Sequence, residues 1–172
     1  LEDIYEEILK KVMHEIGDLW HRNVITVDKE HYATSVTQTV MSGFYDEIFE
    51  KPRKNRTLVA CAVGSELHEM GIRMLSDMFE YQGWDTFYLG AGLPEQAVLE
   101  AIGEHAPDLV VQHSAAHSYG GHIGQHGSLG AVQARAPFIA AGAGVPAQGT
   151  VAGSARMVDV APSIHAPVQA LA

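Results

Sequence analysis

The segment Ser65–Gly71, SELHEMG, follows an apolar run and places His68 between Glu66 and Glu69. An imidazole with a carboxylate two residues before it can hold a metal through one ring nitrogen. The carboxylate then accepts the proton of the other nitrogen and fixes the tautomer. The same residues also fit a capped helix, with Ser65 as N-cap, the glutamates at the positive end and His68 solvated. A second set lies upstream in WHRNVITVDKEH, where Trp20 and His21 precede Glu30 and His31, with nine residues between Trp20 and Glu30. Taken alone, Trp20 closes an apolar helical stripe while Glu30 and His31 lie on a polar face. A third set is HSAAHSYGGHIGQHGSLG, in which His113, His117, His122 and His126 recur at intervals of four, five and four. Imidazoles so aligned suit zinc or nickel. Five glycines in the same stretch oppose a continuous helix, and a polar loop accounts for the histidines equally well.

The elements that must position these groups are legible from periodicity. From Leu1 to Asn23, Ile4, Ile8, Val12, Ile16 and Leu19 recur at helical spacing on one face. Thr26 is placed to cap a second helix with Asp28 and Glu30 in its first turn and Val36, Val40, Phe44 and Ile48 as its buried stripe. The charged, proline-containing EKPRKN then breaks the helix and reads as a linker. From Thr57 strands and helices alternate. TLVACAV, DTFYLG, DLVVQHS and PFIAAGAG are strands, ARMVDVA is a weaker fifth, and helices follow through Phe79 and in PEQAVLEAIGEHA, with a short helix closing the tail. Repeated βα units imply an α/β, flavodoxin-like doubly wound parallel sheet preceded by part of a helical bundle. The expected division is 1–50 helical, 51–56 linker and 57–172 doubly wound. Ligands of such sheets bind beyond the carboxyl ends of the strands, the edge on which His68 falls.

The whole chain has 172 residues, with 11 basic and 21 acidic side chains and a formal charge of -10. That balance opposes non-specific binding to nucleic acid or to an anionic membrane. A single cysteine, Cys61, excludes a disulfide framework and a thiolate cluster and suits a reducing, cytoplasmic setting. No run reaches the roughly 20 apolar residues of a membrane span. The chain starts at Leu1 in helical periodicity, so it is expected to be part of a longer polypeptide.

ELHEMG resembles the ExHxxG form of the cobalamin-binding domain, the acidic variant of the DxHxxG signature of corrinoid methyl carriers and adenosylcobalamin mutases. The resemblance implies that His68 is the lower axial ligand of cobalt, with Glu66 as its hydrogen-bonding partner. It places Gly64, Ser65, Leu67, Glu69, Met70 and Gly71 around the ligand. WHRNVITVDKEH is similar to the Wx9EH signature of light-sensing cobalamin proteins of the CarH type. In them the helical bundle caps the upper corrin face, which implies that Trp20, Glu30 and His31 enclose the adenosyl group. It also implies that His21 takes the upper cobalt position after light breaks the carbon–cobalt bond. The cofactor expected on this basis is adenosylcobalamin.

The resemblance extends over nearly the whole chain, with departures. The family has SxL after the third strand and a Gly-Gly pair after the fourth. Here Ser114 is kept, Ala116 replaces leucine, and Ala140 and Ala141 stand before Gly142 where the glycines would fall. The family bundle has four helices and this chain shows two, so the missing pair is expected before Leu1. A subset of these sensors also carries a bilin, and His113, His117, Tyr119 and His122 would suit biliverdin as a second chromophore. The resulting expectation is a non-enzymatic photoreceptor module that self-associates and signals to an output domain or partner outside this chain. The alternatives are a corrinoid methyl carrier serving a methyltransferase, and a sensor of heme or another tetrapyrrole on the same fold.

Overall fold

A computed structural model describes residues 1–64, 66–114 and 138–142. The first helical segment is one rod, in which a π-helical stretch Ile4–Leu9 runs directly into α1, Lys10–His21. α1 ends in a Schellman turn. Asn23 is left-handed at φ 58°, its N–H donates to the Trp20 carbonyl, and the Val24 N–H donates to the Leu19 carbonyl, both at 2.9 Å. The turn satisfies the orphan carbonyls and reverses the chain immediately after Trp20 and His21. α2, Val27–Ser42, therefore returns antiparallel to α1, so that Met13 meets Thr37 while Tyr5 meets Met41.

The residues facing inward differ in part from the expected stripes. Ile8 and Val12 are exposed, and Tyr5 and Leu9 are buried in their place. On α2, Val36 and Val40 are also exposed, whereas Glu30, Thr37 and Met41 are buried. The helix stops at Gly43, so Phe44 and Ile48 belong to a turn and to the short α3, Tyr45–Phe49. Four-residue spacing identifies a face of a helix but not the neighbour it meets. That neighbour is the first helix of the α/β layer, whose Met74 and Met78 pack with Tyr5, Leu9 and Met41. Thr26 has the extended backbone of an N-cap, yet its hydroxyl bonds to no helix amide. It serves Asp28 instead, and that bond is the main reason the Asp28 carboxyl titrates below its usual range.

The second layer is α/β. Its elements are β1, Thr57–Val63; α4, Met70–Tyr81; β2, Asp85–Tyr88; α5, Glu95–His105; β3, Leu109–Ser114; and β4, Phe138–Gly142. The strand order is β2-β1-β3-β4. β1 is central and parallel to both neighbours, with Thr57 opposite Asp85 and Leu58 opposite Leu109. Its all-apolar sequence follows from burial on both faces. α4 covers one face, where Ile72, Leu75 and Phe79 pack with Leu58, Ala60, Trp84, Leu109 and Val111. The Phe79 and Trp84 rings meet edge to face, 5.1 Å between centroids. The Asp108 carboxylate sets the start of the β1–β3 pair by accepting from the Thr57 N–H at 2.9 Å and from Arg56 at 2.5 Å.

One strand departs from the repeated-βα expectation: β4 runs antiparallel to β3, with Val111 opposite Ala140 and Leu109 opposite Gly142. A parallel fourth strand requires a crossover, usually helical, whereas an antiparallel one does not. The expected fifth strand, ARMVDVA, and the tail helix lie outside the described residues.

The charged linker is docked rather than free. Arg53 donates to the Trp84 carbonyl at 2.8 Å and pairs with Glu80, and the Lys54 N–H donates to the Gly83 carbonyl at 2.7 Å. Lys51 sits over the Tyr81 ring, 4.6 Å from its centroid.

Candidate cofactor site

The loop between β1 and α4 leaves the carboxyl end of the central strand, and its shape depends on the turn that follows β2. Gly90 and Gly92 are both left-handed, at φ 83° and 69°. This lets the YLGAGLP turn curl back along β1. The Ala62 N–H donates to the Gly90 carbonyl, the Leu93 N–H to the Ala62 carbonyl and the Gly64 N–H to the Leu93 carbonyl. The Gly92 N–H donates to the Glu66 carbonyl at 3.0 Å, so the second turn braces the first.

Within that braced loop the Glu66 carboxylate is buried and accepts twice from one residue. Oε1 takes the His68 backbone N–H at 2.8 Å and also contacts His68 Nδ1. A carboxylate only accepts, so the ring proton belongs on Nδ1, and the neutral imidazole then carries its lone pair on Nε2. The His68 side chain keeps 24% of its surface accessible. Leu67 beside it is exposed. The capped-helix alternative does not describe this loop, because α4 begins only at Met70, with Glu69 in the N-cap position. Ser65, the expected cap and a predicted site residue, lies outside the described residues. At Gly71, in the first turn of α4, a Cβ would meet nothing within 4 Å, and the same holds at Gly64.

His68 thus offers one imidazole donor, oriented by a carboxylate. Among the described residues no group of three or more His, Cys, Asp or Glu side chains gathers to hold a metal. A metal that arrives within a ring of its own equatorial nitrogens needs only one protein imidazole on an axis. A carboxylate-oriented His68 beside two glycines with open space around them meets that need.

The other predicted residues occupy the α1–α2 turn. Trp20 and His21 form the end of α1, where Trp20 is half-buried and His21 exposed. Glu30 and His31 lie in the first turn of α2. Glu30 is 1% exposed, accepts from Thr34 at 3.0 Å and contacts His31 Nδ1 at 2.5 Å, while the His31 ring is 68% exposed. A second carboxylate–imidazole pair thus stands here, between adjacent residues and with a more exposed ring than that of His68. Ala140, Ala141 and Gly142 lie within β4, rather than after the fourth strand where the tail-slot glycines were expected. Ser114 is the last residue of β3, opposite Val63. Ala116, His117, Tyr119, His122 and His126 lie outside the described residues, and of His113 only the strand position is described.

Spacing missed the residues that join the two layers. Glu69 Oε1 accepts from Gln38 Nε2 of α2 at 3.2 Å, and Glu69 Oε2 accepts from the Tyr88 hydroxyl at 2.9 Å. Arg73 donates to the Tyr45 hydroxyl at 3.0 Å. Burial and the neighbouring Glu69 push the Tyr88 hydroxyl well above the usual tyrosine range. No local pattern marks Gln38, Tyr45 or Tyr88, because each acts through a partner distant in sequence.

Comparison with known proteins gives two family matches. Two models, each described as a B12 binding domain, match residues 1–42 and 56–150. The HTH-type transcriptional repressor CarA of Myxococcus xanthus is 31% identical over 86 residues, 50% of this chain and 30% of that protein. The serine hydroxymethyltransferase of Pyrococcus horikoshii is 28% identical over 135 residues, 76% of this chain and 31% of that protein. The chain therefore spans less than a third of the length of these curated relatives. Among solved structures, the methanol:cobalamin methyltransferase complex MtaBC of Methanosarcina barkeri aligns with TM-score 0.35 and 17% identity, covering 66% of this chain and 44% of that one. A cobalamin-binding protein of Desulfitobacterium hafniense DCB-2 aligns with TM-score 0.33 and 21% identity, covering 63% and 52%. No helix among the described residues is long and apolar enough to cross a membrane.

Proposed function

This chain belongs to the B12 binding domain family, and from that premise we propose that it is a light-sensing module that holds adenosylcobalamin between its helical and α/β layers. The observation that carries the cobalamin assignment is the Glu66–His68 pair at the carboxyl edge of β1. His68 would hold cobalt through Nε2, and Glu66 keeps the ring in the tautomer that leaves the donor lone pair on that nitrogen. Bound cobalamin supplies a photolabile carbon–cobalt bond. The chain's own residues orient the cofactor and read its state. Trp20 and the Glu30–His31 pair would enclose the adenosyl group, and His21 would be the imidazole available to hold the cofactor once that group has left. No turnover is involved.

What supports sensing over other uses of cobalamin is the set Trp20, Glu30 and His31, which α1 and α2 carry on either side of their connecting turn. Similarity over half the chain to a transcriptional repressor supports a regulatory output outside this chain. In this reading the module self-associates, and the ligand exchange alters contacts to a partner or output domain. Biliverdin beside the histidine-rich segment remains part of the proposal as a second pigment. Co-expression with a biliverdin source then yields a red-absorbing species; without one, that part is withdrawn.

The second reading is a corrinoid methyl carrier, which the Glu66–His68 pair suits equally because the lower face is common to both uses. Loading with adenosylcobalamin, followed by absorption spectra and sedimentation in the dark and after green light, separates the two. A light-dependent change in both supports the sensor. An identical spectrum and sedimentation in light and dark rejects it.

A further inference from the structure

Glu69 directly follows His68, and α4 runs on from it, carrying polar groups at every fourth position toward the helical layer: Glu69, Arg73 and Asp77. Residues four apart in a helix stand one above another, so these form a column. Each is bonded to a different part of the helical layer. Gln38 of α2 donates to Glu69 at 3.2 Å, Arg73 donates to Tyr45 of α3 at 3.0 Å, and Tyr5 of the first turn donates to Asp77 at 2.7 Å. Beside this ladder runs a second column with the same interval, Met70, Met74 and Met78, packed with Tyr5, Leu9 and Met41. Unbranched thioethers repack at little cost, so the methionines accept a change of angle between the layers while the polar rungs define one seating.

The rungs are unequal. The Tyr5–Asp77 bond is short and buried, whereas the Gln38–Glu69 bond is longer and partly exposed. The weak rung is the one next to His68. Glu69 also accepts from Tyr88 at the end of β2, so this one carboxylate is held by α2 on one oxygen and by the sheet on the other.

We propose that Glu69 is a positioning residue that couples the His68 loop to helix α2, with the Gln38–Glu69 bond as the rung that opens first while Tyr5–Asp77 stays closed as the hinge. The coupling makes displacement of the loop and loosening of α2 one event. Its meaning for signalling rests on His68 being the cobalt ligand, but the bridge itself is a property of the polypeptide.

The test uses the full chain without cofactor and follows amide hydrogen exchange in wild type, Gln38→Ala and Tyr5→Phe. Gln38→Ala is expected to speed exchange about tenfold at residues 67–71 and in the second half of α2, as loss of a hydrogen bond to a charged group predicts. Tyr5→Phe is expected to speed exchange in the first helical turn and leave residues 67–71 unchanged. Unchanged exchange at residues 67–71 in Gln38→Ala overturns the coupling, as does an equal rise that includes β1, which would be global loosening. Cobalamin absorbance of His68→Ala is read separately. A cobalt spectrum unaffected by that change removes the ligand assignment and leaves the exchange result to decide the bridge.

Discussion

Tyr5 and Asp77 are 72 positions apart in the chain and share a buried hydrogen bond of 2.7 Å, Tyr5 Oη donating to Asp77 Oδ2. The bond fastens the start of the helical layer to the middle of α4. Desolvation is the main influence on both groups, pushing the Asp77 carboxyl up to about 6 and the Tyr5 hydroxyl far above its ordinary range. For Asp77, the Tyr5 hydrogen bond and the Arg73 charge act in the opposite direction, and Glu80 adds a smaller upward push.

The pH dependence of stability follows from that shift. The groups facing Asp77 are Tyr5, Arg73, Glu80 and Tyr88. A carboxyl with a folded pKa above its unfolded value near 3.8 binds its proton more tightly in the folded state. Its stabilising contribution is fully present below about 4 and is lost as pH rises through about 6. The shift corresponds to on the order of 2–3 kcal/mol. Urea unfolding of wild type minus Asp77→Asn between pH 4 and pH 7 should therefore show wild type losing relative stability as pH rises. A difference independent of pH would contradict the buried, proton-binding Asp77.

Glu66→Gln keeps the shape of the side chain but removes the charge that orients His68. Loss of such a partner typically weakens metal binding by about 10- to 100-fold. A cobalamin absorbance titration should show that loss for Glu66→Gln, and His68→Ala should change the spectrum of whatever cobalamin still binds. Wild-type affinity in Glu66→Gln would mean that the carboxylate does not tune the ligand.

At the α1–α2 turn, His21→Ala is expected to bind adenosylcobalamin in the dark with a wild-type spectrum. After green illumination its spectrum should differ from that of illuminated wild type, because the second imidazole is missing. Identical illuminated spectra would exclude His21 as the upper ligand.

Gly83 has φ 87°, and a Cβ placed there would lie 2.3 Å from the Pro52 carbonyl oxygen. Gly83→Ala should cost about 2–4 kcal/mol in urea unfolding, from backbone strain and collision with the docked linker. A cost below about 0.5 kcal/mol, typical of an unremarkable surface position, would show that the linker does not pack as described.

The sequence determined what depends on neighbours along the chain. The apolar run of β1, the helices between strands and the ExHxxG loop were legible because strand burial, helical period and a two-residue carboxylate–histidine spacing are local. The Schellman turn after His21 is also local, though spacing did not announce it. Tertiary structure decided which helical faces are inside. It turned Ile8, Val12, Val36 and Val40 outward because Met74 and Met78 of α4 meet Tyr5, Leu9 and Met41. It made β4 antiparallel, a direction its apolar sequence does not encode. It also placed Gln38 against Glu69 and Tyr5 against Asp77, because hydrogen bonds between residues 31 and 72 positions apart form only when the layers pack.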